Sequence, residues 1–428
     1  MKIAILGYGK EGQSAYRYFN NNENEIFIHD NNLDIELPED AECVLGKDAF
    51  VNLDSYGYDL LVRSPGLRII EDTLATPVTT PTNEFLKACK AEIIGVTGTK
   101  GKGTTCTLIS QILIESGRKV HLLGNIGAPA LDELASIKEN DLVVYEMSSF
   151  QLFDIQKSPH VAVCLMVTED HLDWHKNLKE YHEAKRNIFT HQNTEDIAVY
   201  FSDNEVSKDL ASSSLATKKY AYGNAGDVYV KDDSIIAFDQ VVANIEDVKL
   251  PGRHNLENVC AAIAAVWNYT KDTQAIKRVL KSFSGLPYHI EHIRDLDGVD
   301  YYNDSFSTNP SAAIAAIESF DRPQVLFLGG FDKNVNFNPL AEVIKKQEVR
   351  KIITFAQTGE KIKNVLIDHG LENVIYNDSD NFKKIVEEGV GFAKAGDVVI
   401  FSPACASFGM FTDYKSRGEK FNEIIQSL

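Results

Sequence analysis

Short apolar runs that each close on glycine, a hydroxyl residue or an acid recur along the whole of this chain. Lys2-Ile-Ala-Ile-Leu6 runs into Gly7-Tyr-Gly-Lys-Glu-Gly12, an amphipathic stretch follows through Phe19, and Glu25-Ile-Phe-Ile-His29 stops at Asp30. Tyr58 to Val62 adds a strand that ends in Arg63-Ser-Pro-Gly66. Further on, Ile93 to Val96, Asp141 to Tyr145 and His160 to Val167 read as strands, the last two ending at Glu146 and at Thr168-Glu-Asp-His171. Beyond Phe283-Ser-Gly-Leu-Pro287 the pattern repeats. Val299 to Tyr302 leads into Asn303-Asp-Ser-Phe-Ser-Thr-Asn309, a helix follows over Ser311 to Glu318, and strands read at Gln324–Leu328, Lys351–Phe355 and Asp397–Phe401. Continuous apolar runs bounded by turn residues suit strands buried on both faces, and the intervening helical periodicity covers those faces. The pattern predicts an α/β chain with mostly parallel sheets.

Composition narrows the picture. At 428 residues the chain exceeds the size at which one core keeps growing, so two or three domains are expected. Hydrophobic residues make up 44 %, enough for several cores, yet no run approaches the roughly 20 apolar residues of a membrane span. The start at Met1 enters a strand directly, with no charged leader before a cleavable apolar segment, which predicts a cytoplasmic protein. Six cysteines form neither close pairs nor metal-binding spacings, so no disulfide is needed. A net charge of −19 argues against nonspecific binding of nucleic acid, but an anionic ligand can still sit where lysines, glycine loops and Mg²⁺ reverse the local potential.

Gly95-Val-Thr-Gly-Thr-Lys-Gly-Lys-Gly-Thr-Thr105 brings in the chemistry. A strand, a turn of Gly98, Thr99, Lys100, Gly101, Lys102, Gly103 and Thr104, and a helix read over Thr105 to Gly117 form a near phosphate loop, with Lys102 placed to reach β- and γ-phosphates. Gly103 stands where such loops carry the Mg²⁺-holding hydroxyl, and Thr104 and Thr105 are the nearest hydroxyls. The bland alternative, a ligand-free glycine turn, has no use for the lysine. Glu146 and His171 close strands beside this loop, at the usual ligand crevice of a parallel sheet, and suit Mg²⁺ held between phosphates. In the first segment Gly9, Lys10 and Asp30 belong to a mononucleotide-binding βαβ pattern, and Gly66 closes the tight loop after a further strand. A cleft between the phosphate-loop sheet and the last sheet would gather several substrates.

The order and spacing of further stretches are more specific. Together with the phosphate loop, Gly124-Asn-Ile-Gly127, Glu146-Met-Ser-Ser-Phe-Gln151, Thr168 to His171, Ala184-Lys185, His254-Asn-Leu-Glu-Asn258, Asn303-Asp-Ser305, Gly329 to Lys333 and Ser402-Pro-Ala-Cys-Ala-Ser407 resemble the Mur ligases of peptidoglycan synthesis over nearly the full length. The resemblance implies three domains: a Rossmann-like one at 1–87 for the uridine nucleotide, a central P-loop ATPase at 88–286, and an α/β one at 287–428 for ATP and the amino acid.

It implies ATP and Mg²⁺ as cofactors, UDP-N-acetylmuramoyl-L-alanine and D-glutamate as substrates, no nucleic-acid or membrane partner, and a monomer. Asn125 would help hold the diphosphate, and Asn258 and Asp304 the adenine or ribose. Glu146 and His171 would hold Mg²⁺. Lys185 matches a lysine that becomes carbamylated in the family, turning a cation into a metal-assisting anion, whereas composition alone makes it a solvated helix lysine. Lys333, Ser407 and Tyr414 would select the amino acid. The chain departs from the family pattern at Gly103, Tyr414, His289 and Phe306, the last two standing where an arginine and a lysine are usual. A ligase for another amino acid on a related UDP precursor, a noncatalytic nucleotide-sensing protein and a nicotinamide-dependent oxidoreductase built on the Gly7–Gly12 loop are the alternative readings.

Overall fold

The computed structural model describes residues 1–428 apart from 22, 40, 70–73, 125–127 and 225. Among the described residues the apolar runs pair into three sheets of five, nine and six strands. The first sheet takes β1 (Lys2–Leu6), β2 (Glu25–Asp30), β3 (Glu42–Leu45), β4 (Leu60–Arg63) and β5 (Val78–Thr79), all parallel in the order β3-β2-β1-β4-β5. Helices α1 (Lys10–Phe19) and α2 (Pro81–Ala88) belong to this part. α2 starts as its sequence dictates: Pro81 sits in the first turn, and the Thr80 hydroxyl accepts the Asn83 amide at 3.1 Å.

The central sheet starts from β6 (Glu92–Thr97), followed by α3 (Lys102–Glu115), β7 (Val120–Gly124), α4 (Ala130–Glu133), β8 (Leu142–Glu146), α5 (Ser149–Leu152) and β9 (Val161–Cys164). It continues through α6 (Leu178–Thr190), β10 (Ile197–Phe201), α7 (Glu205–Ser212) and β11 (Lys218–Tyr222) to a meander of β12 (Val228–Lys231), β13 (Ser234–Ala237) and β14 (Gln240–Asn244). The order is β14-β13-β12-β11-β10-β9-β6-β8-β7, so the phosphate-loop strand β6 lies between β9 and β8. The antiparallel meander goes beyond the parallel units read in the sequence. Its turns place Asp232–Asp233 and Phe238–Asp239 at positive φ, the twist a tight hairpin needs, without the Asn-Gly or Asp-Gly that usually announces one. The strand expected over His160 to Val167 is shorter, because after Cys164 the backbone turns to the phosphate loop, with the Thr99 amide donating to the Met166 carbonyl at 2.9 Å.

Helices α8 (Arg253–Val266) and α9 (Thr273–Ser282) lead to the last sheet. It contains β15 (Glu291–Leu296), β16 (Val299–Asn303), α10 (Pro310–Ile317), β17 (Gln324–Gly329), α11 (Asn338–Ile344), β18 (Val349–Phe355), α12 (Gly359–Asp368), β19 (Val374–Asn377), α13 (Phe382–Val390), β20 (Val398–Phe401) and α14 (Tyr414–Ser427). The order is β15-β16-β20-β17-β18-β19, parallel except for the edge hairpin β15–β16, which turns at Asp297-Gly298. Alternate residues face opposite cores: Leu326, Val398 and Ile400 one, Val325, Phe327, Val399 and Phe401 the other.

The chain forms two compact units, Met1–Asp247 with Leu256–Val279, and Val248–Asn255 with Leu280–Leu428. The first two sheets share one continuous core, in which Ile3, Ile5 and Ile28 pack in the same cluster as Phe85, Ile93, Val143 and Tyr145. No helix among the described residues is long and apolar enough to cross a membrane, and all six cysteines are free thiols.

Candidate active site

The phosphate loop is built around two glycines at which any side chain would be strained. Gly98 has φ +150°, and a Cβ there would lie 2.6 Å from the Leu165 Cβ. Gly101 has φ +82°, and a Cβ there would lie 2.2 Å from the Asn258 Oδ1. Helix α3 begins at Lys102 with no side chain capping it, so no side chain satisfies its first-turn amides. The helix therefore takes in Lys102 and Gly103, earlier than the sequence pattern indicates. Thr105 is fully buried, and its hydroxyl donates to Asn258 Oδ1 at 3.4 Å. Thr104, half-buried, is the hydroxyl left nearest the loop mouth.

Two lysines meet behind this loop. Lys102 Nζ donates to the carbonyls of Gly98 at 3.2 Å and Thr99 at 3.0 Å, while Lys185 Nζ donates to the same Gly98 carbonyl at 2.7 Å and to Thr97 Oγ1 at 3.3 Å. Lys185 is 1 % exposed on α6, with its ammonium 4.8 Å from the ring of Tyr181 one turn earlier. It is not the solvated helix lysine that composition suggests. Burial, then repulsion from Lys102, pushes the Lys185 amine down to about 7. Lys102 is also lowered by burial, against the opposing pull of Glu146 and Asp170.

The sequence pattern did not single out Tyr181. Its hydroxyl meets Thr99 Oγ1 at 2.9 Å, and Thr99 also bonds the Thr168 backbone in both directions, at 2.9 and 3.1 Å. This clasp ties the loop to α6, and the helical spacing from Tyr181 to Lys185 is the signal that could have revealed it.

Glu146 ends β8 and is 5 % exposed. His171 has φ +52°, an imidazole 45 % exposed, the Asp170 carboxylate at 3.6 Å and the Phe150 ring centroid at 4.8 Å. Among the described residues, no three His, Cys, Asp or Glu side chains form a closed metal cluster. Glu146, His171 and an unmodified Lys185 are therefore not such a cage; the donor set fits a cation that keeps several waters, as Mg²⁺ does.

In the first sheet, Gly12 packs so closely that a Cβ would lie 1.9 Å from the Gly7 carbonyl oxygen. Gly9 caps α1 without a side chain. Lys10, the first residue of that helix, is exposed. Both Asp30 oxygens accept backbone amides, from Tyr8 at 2.6 Å and Asn32 at 2.8 Å, so this acid orders the glycine loop itself. The Gly66 carbonyl accepts the Trp174 indole at 3.0 Å, and Arg68 clamps Glu180 with two bonds of 2.8 and 2.9 Å. Asn125 lies outside the described residues.

In the second unit, Asp304 is 4 % exposed and accepts from Ser307 at 2.5 Å and Ser402 at 2.6 Å; burial pushes its carboxyl up to about 7. Asn258 belongs to the first unit, so these two nucleotide candidates are in different units. Lys333 is exposed, with its ammonium 5.9 Å from the Phe408 ring, and the Phe331 amide joins its loop to the Ala406 carbonyl beside Ser407 at 2.8 Å. Tyr414 opens α14 and accepts the Ser305 hydroxyl on its carbonyl at 2.8 Å. Arg417, which the sequence reading passed over, is 1 % exposed and fixes these loops by donating to Ser305 Oγ at 2.9 Å, the Ser305 carbonyl at 2.7 Å and the Cys405 carbonyl at 3.0 Å. His289 and Phe306 stack with ring centroids 3.7 Å apart, and burial lowers the pKa of the imidazole. The two departures from the family's cations are thus one contact.

A glycine loop with two converging lysines, on a parallel sheet flanked by a mononucleotide-type sheet, defines a nucleotide-dependent transfer or ligation enzyme. The chain belongs to the Mur ligase family: residues 96–266 match the Mur ligase middle domain and residues 290–405 the Mur ligase glutamate ligase domain. It is an ATP-dependent carbon–nitrogen ligase of peptidoglycan-precursor synthesis. It is 37 % identical to the UDP-N-acetylmuramoylalanine–D-glutamate ligase of Acetivibrio thermocellus, over 100 % of this chain and 96 % of that protein. It is 35 % identical to the enzyme of the same name from Clostridium acetobutylicum, with the same coverage. Among solved structures, the UDP-N-acetylmuramate–alanine ligase of Thermotoga maritima shares the fold with a TM-score of 0.63 at 18 % identity, covering 100 % of this chain and 99 % of that one. The noncatalytic and nicotinamide-dependent readings are set aside by this membership.

Proposed function

We propose that this enzyme joins D-glutamate to UDP-N-acetylmuramoyl-L-alanine. The observation that carries the reading is the likeness, along the entire chain, to relatives bearing that activity in their names. A carboxylate oxygen of the L-alanyl end attacks the γ-phosphorus of ATP and ADP leaves. The amine of D-glutamate then attacks the acyl phosphate carbon, phosphate leaves, and the nitrogen loses a proton. Lys102 and the α3 amides neutralise the transferring phosphoryl group. Glu146 and His171 would hold Mg²⁺, with Thr104 contributing directly or through water, and Mg²⁺ would supply further charge neutralisation.

Lys185, lowered to about 7 and so partly a neutral amine near that pH, adds CO₂ with release of a proton to solvent and presents a carbamate where two ammonium groups otherwise repel each other. Gly9, Lys10, Asp30, Gly66 and Asn125 serve the UDP end. Asn258 and Asp304 serve the nucleotide, and Lys333, Ser407 and Tyr414 the amino acid. The three sheets support a division near 1–87, 88–286 and 287–428. Incubation with ATP, Mg²⁺, the UDP precursor and D-glutamate is expected to yield ADP, phosphate and a UDP-linked dipeptide. ATP turnover without peptide removes the assignment. The stacked His289–Phe306 pair beside Tyr414 favours one second reading, a different amino acid on a related UDP precursor, and a panel of amino acids in the same assay separates the two.

A further inference from the structure

Arg68 follows Gly66 on the loop after β4, and its side chain leaves the first sheet's segment to reach the central one. Its two terminal nitrogens donate to the two Glu180 oxygens at 2.9 and 2.8 Å, and Nη1 also donates to the Trp174 carbonyl at 2.5 Å. The guanidinium packs over the rings of Trp174 and Phe153, 5.2 and 5.8 Å from their centroids. A planar fork that meets a carboxylate with two bonds fixes direction as well as distance, which a single ammonium contact does not. The Trp174 indole donates in return to the Gly66 carbonyl at 3.0 Å, so the tie runs both ways.

The segment held in this way carries candidate site residues at both of its ends. The amides of Trp174 and His175 donate to the His171 carbonyl at 3.1 and 3.0 Å, so the turn that fixes Trp174 also fixes His171. Glu180 lies in the first turn of α6, immediately before Tyr181, whose hydroxyl meets Thr99 of the phosphate loop at 2.9 Å, and Lys185 is one turn further on. Glu180 is also 3.6 Å from Nδ1 of the buried His175, whose Nε2 meets Ser149 Oγ at 3.0 Å on the segment that follows Glu146. Two other arginines join the same two parts of the chain, Arg17 to Asp132 at 2.7 Å and Arg63 to Asp154 at 2.8 Å, but neither acid adjoins a candidate site residue in the chain.

We infer that Arg68 is a positioning residue for the ligation: it holds the Gly66 loop at a fixed distance from the His171 turn and α6, so that the acceptor end of the UDP-linked substrate meets the γ-phosphate. This rests on the reading that Gly66 serves the UDP end. With both ligands bound, an acceptor misplaced by about 1 Å costs on the order of 10²-fold in rate. Loss of the fork therefore acts on turnover at saturation more than on the affinity of either ligand.

The test compares the native protein with Arg68→Met, which keeps an unbranched apolar side chain over the two rings and removes every hydrogen bond of the guanidinium. Peptide formation is measured with ATP, Mg²⁺, the UDP precursor and D-glutamate all saturating, and calorimetry gives separate dissociation constants for the UDP precursor and for ADP with Mg²⁺. In Arg68→Met, kcat is expected to fall by at least about tenfold, and by a larger factor than either affinity. A smaller fall in kcat, or one no larger than the loss of either affinity, overturns the inference and leaves the UDP reading standing. Native protein that does not bind the UDP precursor overturns that reading and the inference with it. Thermal melts check that Arg68→Met is folded at the assay temperature. If it is not, Glu180→Gln, which keeps the size of the side chain and gives up one bond of the fork, is judged by the same two criteria.

Discussion

Two side chains in the first unit hold protons against their ordinary habit, in opposite directions. Lys185 is lowered to about 7, so between that value and the ordinary lysine range the unfolded chain binds the extra proton and stability rises with pH. In bicarbonate-free buffer, the melting temperature is expected to climb from pH 7 to 9 in the native protein and to climb less in Lys185→Gln. Equal slopes would remove the buried-amine account. Lys185→Ala is expected to lose most peptide synthesis while remaining folded, with partial rescue by acetate in the vacated anionic position. Near-normal turnover would return Lys185 to a structural role. Glu11 has the reverse sign: raised to about 7 by burial and then by Asp132, its acid form stabilises the fold at low pH, and that contribution is lost as pH rises from the carboxylate range through 7. At pH 8, Glu11→Gln should therefore be more stable than the native protein by up to ~3 kcal/mol, and at pH 4 nearly equal to it. Chemical denaturation at the two pH values measures the difference.

At the scale of elements, β6, its glycine turn and α3 form one device whose backbone shape is fixed by contacts from elsewhere. Gly101→Ala meets both a left-handed φ and the Asn258 amide on α8, so it is expected to destabilise the fold by at least ~1–2 kcal/mol and to weaken ATP binding, read by melting and by nucleotide titration. Gly103 is different, since it lies inside the first turn of α3 where a serine fits the backbone. Gly103→Ser places a hydroxyl next to Lys102 and is expected to lower severalfold the Mg²⁺ concentration needed for half-maximal turnover. Unchanged metal dependence would mean that Thr104, or water held by it, already fills that role. In the second unit, the edge hairpin β15–β16 and the Arg417 bonds hold the loops of Ser305 and Cys405, so the proposed amino-acid residues sit on a braced frame.

Across the whole molecule, the first two sheets are joined by one core and the third has its own. Unfolding is therefore expected in two steps, with amides of β1 and β2 losing exchange protection together with those of β6 and β8, and those of β17 and β20 losing it separately. ADP with Mg²⁺ at about 100 times its dissociation constant should raise the stability of the first step by ~2.7 kcal/mol if the phosphate loop is the main anchor. Independent melting of residues 1–87 would contradict the shared core.

The parallel strands were legible in the sequence because strands buried on both faces must be continuously apolar and must end in turn residues, as Lys2 to Leu6 and Gln324 to Gly329 do. The phosphate loop was legible for a similar local reason: glycines and a lysine at fixed spacing between a strand and a helix mark an anion cradle, whatever distant contacts then fix its shape. The hairpins at Asp232–Asp233 and Phe238–Asp239 were hidden, since non-glycine residues there adopt positive φ under the pull of cross-strand packing. Asp297-Gly298 carried a hairpin signal that the pattern of parallel units obscured. Proton affinity is tertiary in origin. Nothing near Lys185 in the chain says that Gly98 and Lys102 will meet its amine, and nothing near Glu11 says that Asp132 will bury beside it. The sequence by itself determined the layers and the cradle, because periodicity and turn chemistry act over a few residues. Only the tertiary structure decided which charges are left without water, because desolvation and repulsion depend on groups brought together from distant parts of the chain.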